Sequence, residues 1–241
     1  MTTVGLSSLR DRLYARYASQ HAGRGNKDAV TLVYRRGIRP ALSAPEVGPI
    51  IDIGCGSGEL VRQMTLDGYD VTGVDISPEQ VEIARAAGIE RVFEGNYVQL
   101  LAKHPGSIAA ITATDLLEHL AKEEVLQTFD QVARALLPGG TFIARVPNAG
   151  SPFGGHIQYG DFTHESFFTP RSVRQLAIAA GFEAVRVVPC APAAHGLVSL
   201  VRVALWRAIS GFYKAALAVE TGSVRGHVVT QNFIFVASVG E

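Results

Sequence analysis

One stretch, IIDIGCGSGEL at 50–60, limits the folds open to this chain more than any other. Ile50, Ile51 and Ile53 read as a buried strand, and Gly54, Cys55, Gly56, Ser57 and Gly58 turn it directly into a helix. Residues that small let backbone N–H groups approach a ligand at the positive end of a helix. The spacing is G-x-G-x-G, whereas dinucleotide sites use G-x-G-x-x-G. Asp52 stands two residues before the first glycine, where a carboxylate repels a diphosphate and attracts an ammonium. Taken alone, the triplet is as well explained by a tight turn that binds nothing.

The turn belongs to a regular alternation. After the linker ALSAPEVGP (41–49), strands are expected at 49–54, 70–75, 91–95, 108–115 and 141–148. Helices are expected between them at 58–68, 77–88 and 123–140. Such spacing implies parallel βαβ units with right-handed crossovers. Ser77 suits a helix cap with Pro78 behind it, and Gly68, Gly88 and Gly139 fall where left-handed residues end helices. Beyond 150 the rhythm changes to a polar-aromatic loop (151–168), a helix (169–182), a strand (183–190), a long apolar helix (198–219) and a last strand (227–239). An amphipathic helix over 7–20 and a helical stretch reaching Ile38 precede the linker. The expected organisation is one domain over 1–241, with a helical cap (1–47), a ligand-binding core (48–148) and an elaborated end (149–241).

Composition removes several classes. With 22 basic and 22 acidic side chains the formal charge is zero, so the broad basic footprint of a nucleic acid binder is missing. Apolar residues make up 47% and charged residues 18%, which is a globular balance. Two cysteines, Cys55 and Cys190, make neither a disulfide framework nor a four-thiolate zinc site. Arg10, Asp11, Arg12 and Arg16 interrupt any signal-peptide core, so a cytoplasmic home is expected.

Three further loops share the carboxyl edge of the expected sheet, where open α/β folds bind ligands. Asp75 ends the second strand 21 residues after Gly54, where a carboxylate accepts ribose hydroxyls. GNY (95–97) and TDLLEHL (114–120) follow the third and fourth strands. IDIGCGSG, VTGVDIS, TDLLEHL and LLPGGTFIARVPN, in that order over about 48–148, resemble the class I S-adenosylmethionine-dependent methyltransferases. The resemblance implies a doubly wound, Rossmann-like α/β sheet of seven mostly parallel strands, the last antiparallel, with helices on both faces. It also implies S-adenosyl-L-methionine as cofactor. Asp52 and the loop of Gly54, Cys55, Gly56 and Gly58 would hold its amino acid part, and Asp75 its ribose. Ile76 would flank adenine, Asn96 stands where the family often has an aspartate near the adenine amine, and Tyr97 adjoins it. Thr114 and Asp115 would approach the methionine end. Cys55 reads as a small residue and not as a nucleophile.

Methyl transfer needs an acceptor aligned with the methyl and a place for the proton of an alcohol. The segment 154–182 is similar to a loop-and-helix of methyltransferases in bacterial surface polysaccharide and lipopolysaccharide pathways. It places Tyr159, Asp161, His164 and Glu165 after the fifth strand, with His164 as base and Asp161 to orient it. In the plainer alternative Asp161 and Thr163 build a turn while His164 bonds backbone. His119, beside Glu118, is the second candidate base. Phe162, Phe167 and Phe168 are expected in the core under the loop. No metal is expected, because no pair of ligand-type residues has strong spacing.

The leading reading is O-methylation of a sugar hydroxyl on a surface glycan or its lipid-linked precursor. A small-molecule methyltransferase of quinone or secondary metabolism is the alternative, and a non-catalytic cofactor-binding scaffold the reading from another class. Segment 196–219 is long enough to span a membrane, but Arg202, Arg207 and Lys214 oppose that. Leu205, Trp206, Ile209, Phe212 and Leu217 supply a broad apolar surface, and Trp206 and Tyr213 suit a membrane interface. It is expected either to pack on its own domain or to rest on a membrane surface or a second copy in a homodimer.

Overall fold

The computed structural model describes residues 27–194, 196–223 and 225–240. The helix read at 7–20 lies outside the described residues, as do His21 and His195.

Seven strands form one sheet in the order β3-β2-β1-β4-β5-β7-β6. In chain order they are β1 (Ile50–Ile53), β2 (Val71–Asp75), β3 (Val92–Glu94), β4 (Ile108–Thr114), β5 (Leu136–Pro147), β6 (Ala184–Pro189) and β7 (Asn232–Ser238). β7 lies between β5 and β6 and runs antiparallel to both, while β3, β2, β1, β4 and β5 pair in parallel. This is the doubly wound sheet with an antiparallel last strand that the motifs implied. β1 and β4 are buried almost throughout because helices cover both faces, which explains their unbroken apolar runs.

One face of the sheet packs an aromatic cluster in which Phe129, Phe142 and Phe235 meet at ring separations of 5.3–5.7 Å. The other carries Tyr34, Leu60, Val61, Met64 and Val81. Helix Lys27–Val33 and the turn Tyr34–Ile38 close this second face. Buried Tyr34 donates to Asp67 Oδ2 at 2.7 Å, tying the segment before the linker to the end of helix Glu59–Leu66.

Local signals place most boundaries well. Ser77 Oγ accepts from the Gln80 amide with Pro78 in the first turn, and Gly68 and Gly88 take φ of +88° and +78° just past their helices. The helix expected at 123–140 spans Lys122–Ala135 instead. Pro138 supplies no N–H and drives the residue before it from helical geometry, so Leu136 is already extended and LLPGG enters β5. Gly139 keeps a left-handed φ of +72°, but within an irregular stretch whose amide donates to Gly240 O. GNY hides a one-turn helix, Tyr97–Leu101, too short for periodicity to reveal.

After β5 the chain is anchored by Asn148. Its Nδ2 donates to Val228 O and Thr230 O, and its Oδ1 accepts from the Gly150 amide. That fixes the start of the 151–168 loop beside β7. The long helix, Leu197–Thr221, contains no fully buried residue.

Candidate active site

The glycine turn has the conformation its sequence demands. Gly54, Gly56 and Gly58 adopt φ of +64°, +53° and +75°, a region L side chains rarely enter. A Cβ on Gly58 would strike Val92 Cγ2 at 2.9 Å, whereas one on Gly56 would meet nothing nearer than Gln80 Oε1 at 3.8 Å. Gly58 is therefore small both for its conformation and because the turn packs on β3, whereas at Gly56 conformation alone requires glycine and the Cβ direction is open.

Asp75 reaches across from the end of β2. Its Oδ2 accepts from the Gly56 amide and its Oδ1 from the Ser77 amide, each at 2.8 Å. It thus holds the turn in shape, and burial pushes its carboxyl above the ordinary range. Asp52 lies beneath the turn, only 2% exposed, and accepts from Thr112 Oγ1 at 2.6 Å. Burial raises its carboxyl to about 7, against the Thr112 hydrogen bond and with the aid of the Asp75 charge. Any attraction it exerts on an ammonium acts through the turn. The Cys55 thiol packs against β2, where a Cβ on Gly73 would meet it at 2.8 Å, and burial holds it protonated.

Around this turn the expected residues take varied positions. Ile76 is 69% exposed at the edge, as an adenine-flanking residue would be. Asn96 caps the short helix, its Oδ1 accepting from the Val98 amide at 2.9 Å, and the Tyr97 hydroxyl meets Thr128 Oγ1 at 2.8 Å. Buried Thr114 Oγ1 has no hydrogen-bond partner. Asp115 has a left-handed φ of +55° and grips Arg145 through both carboxylate oxygens, with Nε donating at 2.8 Å and a closer contact from Nη2. That two-toothed pair holds the loop after β4 in its strained shape.

The same loop continues as the turn Leu117–His119, and the 151–168 loop folds over it. Glu118 O accepts from the amides of Glu165 and Ser166 at 2.7 and 3.0 Å. His119 and His164 are thereby brought to a ring separation of 4.7 Å, nearly edge to face. Thr163 Oγ1 donates to Asp161 Oδ1 at 2.7 Å, so it has only acceptor capacity left for His119 Nδ1, 2.8 Å away. His119 therefore carries its proton on Nδ1. His164 Nδ1 lies 3.2 Å from Gln158 O, and a carbonyl can only accept. In each ring Nδ1 is thus the donor, and Nε2 is the nitrogen left to act as base or ligand.

This corrects the role read for Asp161, which orients His119 through Thr163, while the His164 Nδ1–H is held by backbone. The turn built by Asp161 and Thr163 is present too, with the Thr163 amide on Asp161 Oδ1 at 2.9 Å. Burial, with His164 beside it, lowers His119 to about 4. At Asp161 burial acts upward, but the Thr163 hydrogen bonds outweigh it and the carboxyl lies below its usual value.

Three contributors were not singled out from sequence as site residues. Thr163 and Gln158 set the imidazole tautomers, and Glu118, 2% exposed, has a buried Oε2 with no hydrogen-bond partner. Adjacency to His119 and His164 was the available signal for Glu118 and Thr163; Gln158 gave none. The loop aromatics also depart from expectation. Phe168 is buried, but Phe162 is 86% exposed, and the exposed rings of Tyr159 and Phe167 stand 5.9 Å apart. A loop only eighteen residues long that must place His164 and Phe168 inward leaves the alternate rings outward.

Comparison with known proteins gives a consistent picture. A family model described as a methyltransferase domain matches residues 28–187. A ubiquinone biosynthesis O-methyltransferase of Xanthomonas campestris pv. campestris is 36% identical over 104 residues, 41% of this chain and 43% of that protein. The counterpart from Pectobacterium carotovorum subsp. carotovorum is 35% identical over 97 residues, 38% of this chain and 39% of that protein. The matches therefore span about two fifths of those relatives. Among solved structures, a SAM-dependent methyltransferase from Archaeoglobus fulgidus superposes with a TM-score of 0.70 at 19% identity, covering 92% of this chain and 98% of that one. A Haemonchus contortus phosphoethanolamine N-methyltransferase in complex with S-adenosyl-L-methionine gives 0.55 at 18% identity, covering 98% and 58%.

Proposed function

The chain belongs to the methyltransferase-domain family, and we propose that it is a class I S-adenosylmethionine-dependent O-methyltransferase acting on a small hydroxyl-bearing molecule. The observation that carries this reading is one sheet edge holding both an open glycine cradle and two histidines of assigned tautomer.

The cradle fits the cofactor's amino acid end, because Gly56 keeps clear the space its Cβ would take. The amides of Gly54, Cys55, Gly56 and Gly58 are bonded within the fold, so the Ser57 amide and the positive end of helix Glu59–Leu66 receive the carboxylate end, and the buried Asp52 charge favours the ammonium. Asp75, with lone pairs left after its two amide bonds, receives the ribose hydroxyls, and Ile76 covers adenine. Thr114 faces the methionine end with a hydroxyl in need of a partner. Asn96, Tyr97 and Asp115 shape the flanking loops through the contacts described. Bound S-adenosylmethionine supplies an activated methyl on a sulfonium. The protein's own work is to align an acceptor oxygen, exclude water and accept or ionise away the hydroxyl proton at the His119–His164 pair.

The named sequence relatives favour the small-molecule reading, of quinone-precursor type, over the glycan reading, which none of the comparisons supports. The exposed rings of Tyr159, Phe162 and Phe167 beside His164 suit a flat acceptor ring. Labelled methyl transfer to a panel of catechols, phenols and sugars is the test. Turnover of phenolic acceptors is expected; turnover of sugars alone would replace the acceptor class, and no cofactor binding by calorimetry would remove the reading.

No described helix is long and apolar enough to cross a membrane. The outer stripe of helix Leu197–Thr221 is read as a surface for a lipid headgroup region. Leu197, Val201, Leu205, Ile209, Phe212 and Val219 are exposed on it. At about 100° per residue Arg202 borders this stripe, whereas Arg207 and Lys214 lie close together on the opposite side of the helix, and all three are exposed.

A further inference from the structure

We propose that Glu118, His119 and His164 form a site for a divalent first-row transition metal such as Zn²⁺. Each offers one ligand atom, and these atoms lie within 4.8 Å of one another. Two features beyond proximity point to a metal. The buried Oε2 of Glu118 has no hydrogen-bond partner, and leaving a carboxylate oxygen so is costly unless a cation or donor comes to it. The second is the outer support: Asp161 through Thr163 fixes the proton of His119 on Nδ1, and Gln158 O fixes that of His164. Holding the far nitrogen by a carboxylate-linked group or a carbonyl is the usual way a protein aims Nε2 at a metal.

The donor set selects the ion. Two imidazoles and one carboxylate suit zinc and its neighbours better than calcium or magnesium, which prefer all-oxygen cages. Bond lengths of about 2.0–2.2 Å place tetrahedral ligands roughly 3.4 Å apart, so loading would draw the three ligand atoms closer together. Glu118 and His119 are adjacent on one turn, and His164 comes from the loop bearing Tyr159 and Phe162. Three protein ligands leave a position open, as in catalytic metal sites.

The role assigned to the metal rests on the methyltransferase reading; the binding does not. An acceptor hydroxyl at the open position would lose its proton to solvent at lower pH than in water, and the oxygen lone pair would form the new O–CH₃ bond as the S–CH₃ bond breaks. The two histidines then serve as ligands and not as free bases.

The test loads chelator-stripped full-length protein with Zn²⁺ or Co²⁺, measuring stoichiometry by calorimetry and elemental analysis and the coordination by visible Co²⁺ bands. One ion per chain is expected, with affinity falling at least a hundredfold in Glu118→Gln and His164→Ala and about tenfold or more in Thr163→Val. Circular dichroism and cofactor affinity report whether each variant is folded. No stoichiometric binding by the wild-type protein overturns the site, as does binding unchanged in folded Glu118→Gln. Methyl transfer that persists undiminished in the stripped protein overturns the metal's role and leaves the methyltransferase reading standing. Metal bound as described without methylation of any acceptor overturns that reading and leaves the site standing.

Discussion

Asp75 secures the Gly56 amide with one carboxylate oxygen, and in the proposed function its remaining lone pairs serve a ribose. Asp75→Ala removes both, so cofactor affinity should weaken by roughly 1–3 kcal/mol, the scale of an unmade hydrogen bond. Calorimetric titration with S-adenosylmethionine checks this, and an unchanged dissociation constant would defeat the assignment. His164→Ala should lower turnover by about a hundredfold or more, while cofactor affinity stays near normal. If His119→Ala abolishes turnover and His164→Ala does not, His164 neither takes the acceptor proton nor holds a metal that turnover needs. At this scale the sequence located residues in the fold better than it showed what they touch. Asp52, the glycines and Asp75 were legible because their spacing is local to one βαβ unit. The Thr112–Asp52 bond spans 60 residues and the Thr163–His119 bond 44, and only the folded sheet edge brings such pairs together. The transfer of Asp161 from His164 to His119 has that origin.

The strand–helix alternation was legible because buried parallel strands are continuous apolar runs and helices repeat at 3.6 residues. Its failures are short or competing signals: Pro138 ends a helix that the Gly139 signal extends, and Tyr97–Leu101 is one turn long. The long helix was found, but which way it faces was not, since apolar residues surround most of it. Trp206 and Tyr213, read as outward interface residues, turn inward onto Phe153 at ring separations of 5.7 and 5.1 Å. The exposed stripe is the one through Leu205 and Phe212. Flotation with anionic liposomes at low salt should therefore carry the protein up. Leu205→Asp with Phe212→Asp should abolish this without changing cofactor affinity, because both side chains point away from Phe153 and the loop it anchors. High salt should weaken flotation, since Arg202 beside the stripe is exposed and its attraction to anionic headgroups is screened. A protein that does not float, but shows a concentration-dependent dimer lost in the same variant, would assign the stripe to a second copy.

Across the whole molecule, the site is maintained against the stability of the fold. Asp52 and Glu118 are both buried at the sheet edge, and burial holds both carboxyls above their ordinary range. Asp52 keeps its proton in the fold up to about 7 but releases it near 3.8 when unfolded. Between those values the unfolded chain binds fewer protons, so stability falls as pH rises. Moving a carboxyl from 3.8 to about 7 costs on the order of 4 kcal/mol once pH exceeds both values. An amide in place of this carboxyl cannot titrate, yet its carbonyl can still accept from Thr112. Relative to wild type, Asp52→Asn should gain stability progressively from about pH 4 to 7, approaching that figure above 7. His119 works in the opposite sense, its contribution fading as pH falls from 6.5 through about 4, but it is common to both proteins and cancels. The ligand reverses the balance. An ammonium near the turn favours ionised Asp52, so cofactor affinity of the wild type should rise with pH through about 7, with proton uptake by the buffer on binding. Asp52→Asn should bind more weakly above pH 7 and show neither trend. Urea unfolding at pH 5 and 8, with calorimetry in buffers of different ionisation enthalpy, measures both halves. A variant no more stable at pH 8 than at pH 5, relative to wild type, would show that Asp52 is already ionised in the fold, and the buried charge would then need a partner other than Thr112.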